Sequence, residues 1–272
     1  MHESRHCWHS KEVSEIKFPP APLTIEGTYM LHQMLRVKWG SPVAREGLEA
    51  LAEMQNSAAF TMLGHKGDVL LLHMRKSLDE LNAAESALGQ AGLYQWLEPV
   101  NSYVSVVELG LYESTLKFYA EMKERNIAPE SEAWSAEAAQ NLERQRKAMA
   151  VRLFPEIPPA RYICFYPMDR KRGETKNWYS LPIDDRARMM HEHGMNGRRY
   201  AGRVKQIISG SIGFDDWEWG VDLFADDALD FKRLIYEMRF DEVSADYALF
   251  GPFYIAIRRT PEELESHFQP LT

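Results

Sequence analysis

In the stretch MMHEHGMNGRRYAGRVKQ, residues 189 to 206, two histidines lie one residue apart and Arg or Lys recurs at 198, 199, 203 and 205. Such a mixture can ligate a metal, hold a polyanion or end a helix. Residues two apart on a helix diverge by roughly 200°, so His191 and His193 cannot face one ion. His193 shares its face with Met189 and Met190, whereas His191 falls with Asp184, Ala187 and Arg188 on a more polar side. A zinc site needs three or four protein ligands, and His193 has no Cys or carboxylate companion in its motif. Two interpretations stay open: a helix C-terminal histidine favoured by the dipole, with Gly194 as left-handed cap, or the lone axial ligand of a haem iron.

The segment FYPMDRKRG poses a second question. With period two, Tyr166, Met168 and Arg170 share one strand face, and Pro167 indicates an edge or a bulge that re-aims side chains. The face is either a strand end with a solvated charge run or a redox-capable phenol beside a large, flat ligand carrying carboxylates. The basic residues Arg170, Lys171, Arg172, Arg198, Arg199, Arg203 and Lys205 form a solvated face or a site for a small polyanion, since Arg forks suit carboxylates. Gln206 stands in an apolar row with Val204 and Ile208, and once buried it needs a hydrogen-bond partner from protein or ligand. No Walker or Rossmann glycine loop and no nucleophile elbow is present; Gly210 and Gly213 fit a hairpin. His2, His6 and His9 lie in a loose polar leader, with weak adventitious metal binding as their minor alternative.

The totals bound the partners. In 272 residues with a formal charge of −8, 45% hydrophobic and 26% charged, no apolar run is long enough to span a bilayer and no broad basic surface suits nucleic acid. The start lacks the apolar core of a secretory signal, so a cytoplasmic location is expected. Cys7 and Cys164 are too few for a disulfide framework and are expected to be plain thiols.

The elements that must position these residues repeat. Residues 24–39 show a strand pattern, 41–56 a helix with Ser41 as N-cap and Pro42 just inside, and then two strands, a helix and a last strand follow. After residue 160 the same strand–helix–strand–strand–helix–strand order recurs, with a helix ending at Gly194 and a single final strand YALFGPFYIAIR. The expected architecture is α+β: a loose leader over 1–20, a ferredoxin-like βαββαβ domain over 21–110, a helical connection over 111–160 and a second ferredoxin-like domain over 161–272. Each unit leaves one sheet face bare, so the two are expected to pair as a dimeric α+β barrel within one chain, with a pocket between sheet and helices.

The motifs YPMDRKR, NWYSLP, HEHGMNGRRYAGRVKQIISGSIGFDDWEWGVDLFADDAL and YEMRFDEVSADYALFGPFY closely resemble the coproheme decarboxylases of the chlorite dismutase superfamily, the peroxide-dependent haem b synthases. The resemblance covers nearly all of 161–257. It implies a porphyrin-binding C-terminal domain, a homopentamer and the conversion of Fe-coproporphyrin III (coproheme) to haem b with hydrogen peroxide. It also implies transient contact with a coproporphyrin ferrochelatase. By motif, it implies His193 as axial iron ligand and Tyr166 as the residue that becomes a radical. It implies Arg152 and Ser244 as propionate-binding residues and Gln206 as the distal glutamine. The whole segment Tyr166, Pro167, Met168, Asp169, Arg170 is implied to contact porphyrin, and Trp217 and Arg239 to line the same pocket. One departure is visible: Arg170 stands where lysine is expected. The alternatives are a haem or coproheme carrier, a sensor, or a chlorite dismutase-like enzyme, the last of which would carry arginine in place of Gln206.

Overall fold

The computed structural model describes residues 17–269. The first half contains β1 (Thr24–Val37), α1 (Arg45–Glu53), β2 (Ser57–Met62), β3 (Val69–Arg75), α2 (Leu78–Gln90), α3 (Leu93–Trp96) and β4 (Leu97–Gly110). Three helices follow: α4 (Tyr112–Glu124), α5 (Glu132–Ala148) and α6 (Ala150–Leu153). The second half contains β5 (Tyr162–Arg170), α7 (Ile183–Arg198), β6 (Lys205–Gly210), β7 (Trp219–Ala225), α8 (Leu229–Met238), α9 (Glu242–Tyr247), β8 (Ala248–Phe250), β9 (Tyr254–Arg259) and α10 (Pro261–Phe268).

The strands run β7-β6-β4-β1-β3-β2-β9-β5-β8, and β5 also pairs with β7, so eight of them close on themselves with β8 appended. Counted within its own half, each set of four runs fourth, first, third, second, and the seams are β4–β6 and β2–β9. Closure pairs backbone groups that open edges would expose. Inward-pointing residues fill the barrel, among them Met30, Met34, Phe60, Leu72, Phe165 and Phe224. Each fully buried large side chain of this kind contributes about 1.5–3 kcal/mol. In the first half, α1, α2 and α10 cover the outer wall through Leu48, Leu51, Leu88, Leu264 and Phe268. In the second half, α8 packs Phe231 and Leu234 against β5 and β7, and the remaining outer wall faces open space.

Four local expectations are corrected. Ser41 is not an N-cap: its amide donates to the Lys38 carbonyl in a turn and α1 starts at Arg45, because Pro42 biases the residue before it away from helical backbone. The helix expected to end at Gly194 continues to Arg198; Gly194 is helical, and the left-handed glycine is Gly202, at φ 85°. Packing of Ala187 and Met189 outweighs the about 1 kcal/mol that a helical glycine costs. The single final strand is two, interrupted where Pro252 cannot donate to a ladder and where the Gly251 amide donates to the Pro167 carbonyl instead. The end of the expected leader is held in place: Phe18 stacks on Tyr119, and the Pro20 carbonyl accepts from Arg186. The rest of that leader, with His2, His6 and His9, lies outside the described residues.

Candidate functional site

A cavity of about 420 Å³ opens between the bare outer wall of the second half and the helices that stand off from it. Strand alternation supplies one wall: Tyr166, Met168 and Arg170 from β5, Gln206 and Ile208 from β6, Trp219, Val221 and Leu223 from β7. The opposite wall carries Met190 and His193 of α7, Leu234 and Met238 of α8, and Ser244 of α9. Arg152 at the end of α6 closes one side, together with the segment around Ala21 and Pro22. Ile208, 40% exposed, and its apolar neighbours show that this is a surface made for an apolar body.

His193 is held by Asp241, whose Oδ2 accepts from Nδ1 at 2.9 Å. The other oxygen of Asp241 accepts from the Ser244 amide at 2.8 Å and so caps α9. Burial raises the Asp241 carboxyl, but the His193 contact and the Ser244 bonds outweigh it and leave the group below its ordinary value. With Nδ1 occupied by a carboxylate, the imidazole presents Nε2 as the lone-pair nitrogen, the arrangement of a metal-ligating histidine. His191 meets Glu113 at 2.7 Å on the exposed side of the same helix.

Tyr166 is 8% exposed, its ring packed against Phe253 and Phe250 at 4.6 and 5.7 Å between centroids. Burial pushes its phenol well above the ordinary value, so it is a neutral hydroxyl, and that hydroxyl has no partner among the described residues. Arg170 lies over Trp178 at 4.9 Å and Trp219 at 5.9 Å, and its Nη2 donates to the Met190 sulfur at 3.5 Å. Burial lowers the pKa of its guanidinium, which has no carboxylate partner among the described residues. Gln206 reaches α7, its Nε2 lying 3.4 Å from where a Gly197 side chain would begin, one helical turn beyond His193.

Arg152, Tyr166, Met168, Arg170, His193, Gln206 and Ser244 therefore converge on one cavity. Pro167 and Asp169 do not: period two turns them to the opposite face, where Pro167 meets Gly251 and Asp169 accepts from the Glu218 amide. Trp217 packs against the barrel-interior cluster, and the tryptophans of the cavity are Trp178 and Trp219. Arg239 lies outside the lining and stacks on Phe250 at 3.8 Å. The basic residues 198, 199, 203 and 205 are a solvated face, with Arg203 paired to Asp230. Sequence reasoning missed Asp241, although an Asp three residues before Ser244 is an N-cap signal. It also missed Arg186, Glu108 and Trp178, whose spacing carries no signal.

The chlorite dismutase family profile matches residues 41–259. The chain belongs to the chlorite dismutase family. Within that family it is similar to a coproheme decarboxylase of Staphylococcus saprophyticus, 39% identical over 92% of this chain and 99% of the relative. A Natronomonas pharaonis protein, named as a candidate heme-binding protein, is 42% identical over 92% of this chain, which spans 42% of that longer relative. A solved structure described as a novel heme-binding protein from Thermus thermophilus superposes with a TM-score of 0.76 at 37% identity, covering 92% of this chain and 98% of that one.

Proposed function

We propose that this chain is a coproheme decarboxylase, which removes two propionate carboxyls of Fe-coproporphyrin III with hydrogen peroxide and yields haem b. The observation that carries the proposal is the cavity itself: one imidazole with a free Nε2 faces an apolar space whose cations, Arg152, Arg170 and Arg186, have no carboxylate partners among the described residues. That donor set fits an iron porphyrin bearing several carboxylates. The 39% identity to a coproheme decarboxylase over nearly the full length supports the same reading.

Bound in the cavity, coproheme would supply the iron redox chemistry with peroxide. Each round turns one propionate carboxylate, one hydrogen peroxide and one proton into a vinyl group, carbon dioxide and two waters. His193 would hold the iron through Nε2, with Asp241 fixing tautomer and ring orientation. Tyr166, kept neutral by burial, would give up an electron and a proton together and relay the oxidising equivalent to a propionate. Arg152, Arg170 and Ser244 would orient the carboxylates, and Gln206 would add an uncharged amide to the lining. A homopentamer of two-unit chains, a cytoplasmic location and transient contact with a coproporphyrin ferrochelatase belong to the same proposal. The fourth-first-third-second strand order in each half supports the ferredoxin-like units.

The test is mass spectrometry of the bound porphyrin after loading with ferric coproheme and titrating in peroxide. Two successive losses of carbon dioxide with two hydrogens are expected. Tyr166→Phe should bind coproheme and lose the conversion; conversion at the parental rate in that variant would defeat the assignment. Unchanged coproheme in parental protein that binds it through His193 would point to a carrier.

A further inference from the structure

Among the charged side chains that line the cavity, Arg186 is the most deeply buried, at 4% exposed. It sits in the first turn of α7, where the helix dipole disfavours a cation. Its Nη2 donates to the Pro20 carbonyl, and its Nε is fully buried with no partner among the described residues. The acidic residues of the same turn, Asp184 and Asp185, point to solvent and do not neutralise it. Its charge bears on the phenols of Tyr112 and Tyr119, and Arg170 bears on Tyr112 as well, so two guanidiniums serve one end of the cavity. A buried cation without a counter-ion is costly; Nε is sealed in protein, and the N–H group left to meet an anion in the cavity is Nη1, which is not sealed and has no partner among the described residues.

We infer that Arg186 binds a carboxylate of the cavity's ligand at the α4–α7 end and selects for polycarboxylate porphyrins. The inference rests on the reading of the cavity as a porphyrin site and extends it to a cation that the resemblance does not assign. The bond to Pro20 gives the same side chain a second task, because it ties the ligand to the segment that forms part of the cavity rim.

Arg186→Met and Arg186→Lys test it by equilibrium binding of ferric coproheme and by thermal melting of the ligand-free protein. Arg186→Met should weaken coproheme binding about tenfold or more, the usual effect of losing a charge-assisted hydrogen bond, while the ligand-free midpoint stays at or above the parental value. Arg186→Lys keeps the charge without the fork and should lose less. Parental affinity in both variants overturns the inference, and a lowered ligand-free midpoint with parental affinity reduces Arg186 to an anchor for Pro20. Parental protein that fails to bind coproheme would instead take down the reading of the cavity, and the inference with it.

Discussion

Among the described residues, two histidine–aspartate pairs share nearly the same contact distance in opposite surroundings, one bonded through Nε2 and the other through Nδ1. His32 and Asp222 meet at 2.8 Å inside the barrel, both fully buried, and His32 stacks on Phe165 with centroids 4.0 Å apart. His193 and Asp241 meet at 2.9 Å on the outer side, where the imidazole is 23% exposed. In the barrel pair the remaining atoms, His32 Nδ1 and Asp222 Oδ2, are sealed away without partners. In the cavity pair they are in use or available: Asp241 caps α9 and His193 Nε2 meets open space. The same two side chains thus make a cross-barrel tie in one place and, on the proposed function, an iron ligand with its supporting carboxylate in the other. What separates them is access to the second nitrogen.

Substitution should divide the pairs by function. The largest effect is expected from His193→Ala, which should abolish the histidine-ligated spectrum of bound coproheme and cut haem b formation beyond the about 100-fold that loss of a carboxylate supporting such a histidine reaches. His32→Ala should leave that spectrum as it is, and a shift there would erase the contrast. Next come the carboxylates. Asp222→Ala should lower unfolding free energy by about 3 kcal/mol, measured by urea titration, because it strands a buried partner. Asp241→Asn should instead weaken coproheme binding by about 10–100-fold. Equal stability losses from both would mean that the cavity pair is structural too.

The smallest effect sharpens the contrast through pH. His73, on the helix-covered face of β3, has its pKa lowered to about 3 by burial, with the charges of Arg75 and His32 adding to it. Its folded value lies below the unfolded value near 6.5, so the unfolded chain takes the proton first and stability is lost as pH falls from about 6.5 towards 3. His73→Gln removes that titration while keeping a group able to bond Ser57. The urea midpoint should then fall less steeply across this window, and a slope identical to the parent's would count against the assignment.

Much of this was legible in the sequence. Alternation placed Tyr166, Met168 and Arg170 on one face and, by the same rule, turned Pro167 and Asp169 away, although the motif resemblance grouped all five. Helical geometry separated the exposed His191 from the inward His193. The helix end at Gly194 was misjudged because a glycine after histidine imitates a cap, whereas the chain reverses only at Gly202. The final strand was taken whole because its apolar pattern runs across Gly251 and Pro252, and only the pairing with Pro167 shows the break.

The sequence by itself determined the order of strands and helices and which residues of β5 and α7 share a face, since these follow from periods of 2 and 3.6 residues acting over a few positions, while the roles of His193 and Tyr166 came from the motif resemblance. The tertiary structure alone decided that Asp241, 48 residues away, meets His193, that Arg186 is buried at the cavity's edge without a counter-ion among the described residues, and that the second half keeps a bare wall. Those contacts depend on how barrel closure sets one element against another, and no local pattern encodes that distance.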